Sequence, residues 1–230
     1  MSDVRENILR IRERIAAAAV RSGRDPSEVR LMGVTKTVGD DRILQAIEAG
    51  IDIIGENYVQ EAKRKIELMG KSVEWHFIGH LQSNKARYAV RLFDMIHSVN
   101  RVSLAEELNR RAAAAGLVCR VLVEVNLAGE ESKSGAPPEE APGLVRAVSQ
   151  LANLSVRGLM TMAPWHEDPE KARPCFAGLR RLRDRIDAEG IPNVTLRELS
   201  MGMTDDFEVA VEEGSTIVRI GRAIFGERTG

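Results

Sequence analysis

The chain has 230 residues, 43% of them apolar and 29% charged, with a formal net charge of −1. That balance leaves no electrostatic footprint for nucleic acid or an anionic membrane, and no apolar run approaches the ~18 residues a membrane span needs. The charged start Met1-Ser2-Asp3-Val4-Arg5-Glu6 lacks the apolar stretch of a secretory signal, and Cys119 and Cys175, with no CxxC or metal spacing, read as free thiols, so the expectation is a cytoplasmic protein.

Residues 3–22 carry Val4, Ile8, Ile11, Ile15 and Val20 at helical spacing, and Ser22-Gly23-Arg24-Asp25-Pro26 stops that helix. A first short apolar strand, Val29 to Val34, leads to Thr35-Lys36-Thr37. Residues 40–49 are helical with Gly50 as a C-terminal cap. The second strand, Ile51 to Ile54, ends in Gly55-Glu56-Asn57, and a helix over 57–69 closes at Gly70. Glu74 to Ile78 is the third strand, followed by Gly79-His80 and a helix capped at Ser83-Asn84 that runs to Leu92. Met95 to Val99 is the fourth strand, with a helix over 101–115 ending at Gly116. Val118 to Val125 is the fifth, followed by the polar loop Gly129 to Gly135 and a helix over 138–151. Leu154 to Met160 is the sixth, and a loop with Pro164 leads to a helix over 168–189. Leu196 to Leu199 is the seventh, Asp205 to Glu213 a helix, and Thr216 to Ile220 the eighth.

Eight short, continuously apolar strands alternate with helices, the pattern of parallel strands covered by helices. The count favours an α/β fold, a closed (β/α)8 TIM barrel with an extra N-terminal helix in a single domain over 1–230. A doubly wound open sheet is the rival, weakened because no Gly-x-Gly-x-x-Gly follows the first strand and no Walker loop occurs.

In such a barrel, chemistry gathers at the C-terminal strand ends, and the loops after the last two strands often hold a phosphate. Here those loops are Ser200-Met201-Gly202-Met203-Thr204-Asp205-Asp206 and the end of Ser215 to Gly226, two glycine turns able to aim backbone N–H groups at one anion. Lys36, ending the first strand, faces that site across the mouth. A lysine in a partly desolvated mouth can act as an amine nucleophile toward an aldehyde. His76 and His80 have the i, i+4 spacing of a zinc pair but lie on a strand and its loop. Glu56, Glu124, Asp205 and Asp206 could pair for acid–base work, although capping and salt bridges explain the last two better. Trp75 and Trp165 read as core or rim residues. Arg180, Arg181, Arg183 and Arg185 alternate with Leu179, Leu182 and Ile186 and read as the solvated face of a helix.

Gly33-Val34-Thr35-Lys36-Thr37, Gly55 to Glu61, Trp75 to Lys85, Val125-Asn126, Ser132-Lys133-Ser134-Gly135, Arg157 to Met160, Ser200 to Asp206 and Val218 to Gly226 stand in the order of one known family. Across essentially its whole length the chain resembles the pyridoxal phosphate homeostasis proteins, which are similar to the N-terminal barrel domain of alanine racemase. The resemblance implies a barrel carrying pyridoxal 5′-phosphate (PLP) as a Schiff base on Lys36. It puts the phosphate on Ser200 and on N–H groups near Gly221 and Arg222, Arg219 beside the pyridine nitrogen, and Asn57 and His80 near the ring. Tyr58 stands where the family more often has Arg, a change at the rim. The resemblance further implies a monomeric, non-catalytic protein that buffers PLP and passes it to apo-enzymes. Two other functions stay open at this point. One is a small PLP-dependent amino-acid racemase; the other is a barrel acting on a sugar phosphate. The racemase draws its second base, a tyrosine, from a separate domain. The sequence stops shortly after the eighth strand, with only Tyr58 and Tyr88 to offer, so no turnover is expected.

Overall fold

Helix α1 (Val4–Arg21) starts where the Asp3 carboxylate accepts the Arg5 backbone N–H, and it buries Val4, Ile8, Ile11 and Ile15 along one stripe. The computed structural model describes residues 3–129 and 134–226. Residues 130–133, which include Ser132 and Lys133 of the expected loop motif, lie outside the described residues.

Eight strands follow: β1 (Arg30–Val34), β2 (Ile53–Glu56), β3 (Glu74–Phe77), β4 (Met95–Val99), β5 (Cys119–Glu124), β6 (Leu154–Met160), β7 (Val194–Ser200) and β8 (Ile217–Ile220). They are parallel, stand in sequence order, and close where β8 pairs with β1. Closure leaves no sheet edge and sets aside the open-sheet rival. Between and around them lie α2 (Asp40–Glu48), α3 (Val59–Met69), α4 (Ala86–Leu92), α5 (Val102–Ala115), α6 (Ala141–Ser149), α7 (Arg173–Asp187), α8 (Phe207–Glu212) and α9 (Arg222–Phe225). The extra helix α1 packs against α2, α8 and α9, and the Asn7 amide donates to the Ile224 carbonyl at 2.9 Å.

The apolar strand positions are buried on both sides, which is why the strands read as unbroken apolar runs. Trp75, Phe77, Ile96, Val121 and Val218 belong to the large core, while Met32, Ile53 and Ile217, and separately Met95, Leu122 and Met160, form small inner clusters. Several inward positions are polar instead: His76, His97, Ser200 and Arg219 are all buried.

Several element boundaries differ from those the sequence suggests. The second strand runs over Ile53–Glu56, later than 51–54, because its pairing with β1 and β3 starts at Ile53. The helices expected from 83 and 168 begin as 3-10 turns, Ser83–Lys85 and Pro169–Ala172, and the one expected from 138 begins at Ala141 after Pro137-Pro138. Residues 222–225 form α9, which the sequence reading treats as part of a turn.

Candidate functional site

β1 ends at Val34, and the next three residues make a constrained turn. Lys65 is fully buried on α3, and its ammonium donates to the Thr35 carbonyl at 2.6 Å, to Glu56 at 2.6 Å and to Glu61 at 2.7 Å. The Thr35 hydroxyl donates to Glu56, and Glu61 accepts the Thr37 N–H at 2.8 Å. Thr37 has φ 62°, a left-handed conformation that a β-branched residue adopts only under constraint. Both neighbours of Lys36 are thus pinned by one buried cluster, which fixes where the Lys36 side chain starts. Burial pushes the Glu56 carboxyl up from its ordinary range, while Lys65 and Thr35 pull it back down.

Lys36 lines a cavity of about 500 Å³ at the C-terminal mouth of the barrel, with Asn57, Met162, Trp165, Thr204, Arg219 and Arg222 among its walls. That size is within the ordinary range of small-molecule sites. Arg219 is 4% exposed and forms no ion pair among the described residues. Its guanidinium donates to the Ser200 hydroxyl at 2.8 Å and to the Thr161 carbonyl at 2.9 Å. Burial lowers its pKa to about 10, against the favourable charges of Asp206 and Glu124. A guanidinium has donors only, so a cavity walled by one suits an acceptor or an anion.

The two glycine turns meet as their spacing suggests. Gly202 sits at φ +92°, a side chain there would clash with Ala210, and its carbonyl accepts the Arg219 N–H at 3.0 Å. The Thr204 hydroxyl reaches the Ala223 N–H at 3.4 Å, at the start of α9. Arg222 pairs with Asp205 across the rim at 2.7 Å, and Asp206 accepts the Met203 N–H at 2.6 Å, so salt bridging and turn closure account for these carboxylates.

Of the residues singled out in the sequence, the structure gathers Lys36, Asn57, Arg219, Gly221 and Arg222 around one cavity. The Asn57 side chain has a buried amide oxygen with no partner. Ser200 is fully buried beneath, engaged by Arg219 and His97, and is not in the cavity wall; Thr204 is. His80 is exposed, outside that wall, with Nδ1 3.4 Å from the Ser134 hydroxyl. His76 points inward to His97, so it does not pair with His80, and among the described residues no three His, Cys, Asp or Glu side chains form a metal cluster. Trp75 is core, while Trp165 is 74% exposed at the rim. Leu179, Leu182 and Ile186 are buried under the arginine-rich face of α7.

The sequence reading has Thr204 in the phosphate turn without giving it a role of its own, and it passes over His97. Thr204 carried a signal: it is a hydroxyl residue two positions beyond a turn glycine. His97 carried another, as a polar residue inside the apolar run of β4.

The family described as alanine racemase, N-terminal domain, matches residues 3–229. The chain is 47% identical over 224 residues to the pyridoxal phosphate homeostasis protein of Aquifex aeolicus, covering 97% of each, and 43% identical to that of Escherichia coli K12, covering 99% of this chain and 98% of the other. The structure of PipY from Synechococcus elongatus with PLP bound superposes with a TM-score of 0.81 at 38% identity, covering 94% of this chain and all of that one. Alanine racemase of Clostridium difficile shares the fold alone: TM-score 0.77 at 14% identity, over 99% of this chain and 57% of that one. With a family match over nearly every residue and relatives of the same length at this identity, the chain belongs to the alanine racemase N-terminal domain family, among the pyridoxal phosphate homeostasis proteins.

Proposed function

We propose that this chain is a single-domain PLP carrier over residues 1–230, which holds the cofactor at the barrel mouth, buffers it and releases it to apo-enzymes, as a cytoplasmic monomer. The observation that carries the reading is the shared cavity. Lys36, Arg219, Thr204 and the Gly221–Arg222 turn all line it, a set complementary to an aldehyde, an acceptor nitrogen and a phosphate. The unpartnered amide oxygen of Asn57 in that wall is a polar atom such a ligand would satisfy. The PLP-bound PipY structure and the names of the full-length relatives support the same ligand.

When bound, PLP supplies an aldehyde that a lysine amine can capture. Lys36 is the amine, and the strained turn held by Lys65 sets its reach. Arg219 would donate toward the pyridine nitrogen and, staying protonated, would leave that nitrogen without a proton. That weakens the ring as an electron sink and suits storage better than turnover. The phosphate would rest on N–H groups at Gly221 and Arg222 and on the Thr204 hydroxyl, which lines the cavity where the resemblance implied Ser200. His80, which the resemblance puts near the ring, is exposed and is not among the residues lining this cavity.

Racemisation needs a base on each face of the substrate. Tyr58 is 59% exposed and Tyr88 is 37% exposed, and neither tyrosine of this chain is among the residues lining the cavity. The reading is tested by the absorption spectrum of purified protein before and after borohydride, with mapping of the trapped peptide. The label is expected on Lys36 and lost in a folded Lys36→Ala variant; label on another lysine would overturn the assignment. Deuterium exchange at the α-carbon of L-alanine is expected to stay at background. Sustained exchange abolished by both Lys36→Ala and Tyr58→Phe would establish a racemase instead.

A further inference from the structure

Beneath the cavity, four buried polar side chains from β3, β4, β7 and β8 join end to end across the barrel interior. Arg219 Nη1 lies 2.8 Å from Ser200 Oγ, Ser200 Oγ 2.9 Å from His97 Nδ1, His97 Nε2 3.0 Å from His76 Nδ1, and His76 Nε2 3.0 Å from the Glu74 carboxylate. Glu74, at the opposite end of the barrel, is also held by Arg30 at 2.9 Å.

Burial lowers the proton affinity of both imidazoles, His97 strongly, with the nearby charge of Arg219 acting the same way on His97. With both rings neutral, the carboxylate end fixes the direction of every bond. Glu74, held ionised beside His76 and Arg30, can only accept, so His76 carries its proton on Nε2 and accepts on Nδ1. His97 then donates from Nε2 and accepts on Nδ1, which takes the Ser200 proton. Ser200 keeps its lone pairs for Arg219, which can only donate. The chain has one consistent polarity, with each bond strengthening the next.

We propose that His97, seconded by His76, is a positioning residue for Arg219: a one-way hydrogen-bond chain from Arg219 through Ser200, His97 and His76 to Glu74 holds the guanidinium against the cavity floor without an ion pair. Because Ser200 gives its proton away, its oxygen becomes a better acceptor for Arg219. A direct carboxylate partner would hold Arg219 as well, but it would neutralise the charge the cavity presents. The chain places the carboxylate at the far end and leaves the arginine cationic toward whatever occupies the mouth. Broken at His97, the chain leaves a buried hydroxyl proton and a buried His76 nitrogen without partners, and Arg219 loses its orientation.

The first test needs no ligand. Long-range proton–nitrogen correlation spectra of the ligand-free protein at pH 7 should show His76 and His97 both neutral with the proton on Nε2. A cationic ring, or the proton on Nδ1 of either, overturns the chain. The second test rests on the PLP reading. His97→Leu should weaken PLP retention by up to about tenfold, the worth of one buried hydrogen bond, and shift the absorption maximum of bound PLP. His97→Gln, which still carries one acceptor and one donor, should recover part of both. A folded His97→Leu protein with wild-type retention and spectrum overturns the positioning role. Should His97→Leu not fold, His97→Gln and the spectra of the unaltered protein still decide it. If the wild type takes up no PLP, the cofactor reading fails, and the imidazole tautomers separately decide the chain.

Discussion

Two buried polar networks support the mouth of this barrel, and they solve opposite problems. The network beside Lys36 is ionic: Lys65 with Glu56 and Glu61, all acting on the backbone of residues 35–37. The network beneath Arg219 links neutral groups, two imidazoles and a hydroxyl, and acts on one side chain, reaching a carboxylate only at its far end. The first spends its charges on each other, so it can hold a strained turn, but it presents no charge to the cavity. The second holds a cation without cancelling it. On the proposed reading, a reactive amine needs its starting point fixed, whereas a charged donor needs its orientation fixed and its charge kept, and each network suits one of these needs.

The sharpest way to break this contrast is to unpair the ionic network. Lys65→Met should lower the unfolding free energy by about 3–5 kcal/mol, because it strands the Glu56 carboxylate inside the protein with its partner gone. Adding Glu56→Gln should restore part of the loss. Denaturant unfolding reads both variants, and a loss under about 1 kcal/mol for Lys65→Met would show that Glu56 simply protonates, so that the network is not ionic at all.

A weaker perturbation runs the other way, by placing charge near the neutral network. Glu124 is 3% exposed with one carboxylate oxygen unpartnered, and burial pushes its pKa up to about 7 from 4.5, with Arg219 pulling it partly back. A raised carboxyl holds its proton more tightly in the folded state. Its contribution is therefore fully present below pH 4.5, falls as the pH rises toward 7, and is gone above that. The difference amounts to roughly 3 kcal/mol at most. Glu124→Gln should flatten this fall in a series of denaturant midpoints between pH 4.5 and 8. An unchanged slope would mean that Glu124 ionises freely beside Arg219.

Much of this was legible in the sequence, for identifiable reasons. The barrel was, because parallel strands buried on both faces leave apolar runs at regular intervals, and Lys36 was, because its strand is the first and ends in a turn. Glu56 was visible only as a strand-end carboxylate; that Lys65, nine positions on, would bury with it depends on how α3 lies on β2. Asn57 and His80 both follow a strand end and a glycine, and Gly79 packs directly on the Asn57 backbone, yet one lines the cavity and the other faces out. Ser200 and Thr204 are four residues apart around one glycine turn. Only the fold says that the first closes β7 inside the barrel and the second reaches the wall.

That last pair offers the finest test of the contrast, since one hydroxyl belongs to the chain beneath Arg219 and the other to the proposed anion site. Ser200→Ala removes the acceptor of Arg219 and the donor to His97 together, leaving buried polar atoms unpaired, at a cost of about 1–3 kcal/mol in stability. Thr204→Val keeps the shape and removes one hydroxyl in the cavity wall, whose contact with the Ala223 N–H is long at 3.4 Å. It should leave unfolding almost unchanged and weaken PLP retention by about 0.5–1.5 kcal/mol, up to roughly tenfold. Measured side by side, by denaturant unfolding and by the rate at which a scavenging apo-enzyme draws PLP away, the two substitutions should separate: stability falls mainly in the first, and retention alone falls in the second. If Ser200→Ala lost only retention while Thr204→Val was silent in both assays, the phosphate would sit on Ser200 as the sequence resemblance implied. The chain beneath Arg219 would then open to the ligand rather than support it from behind.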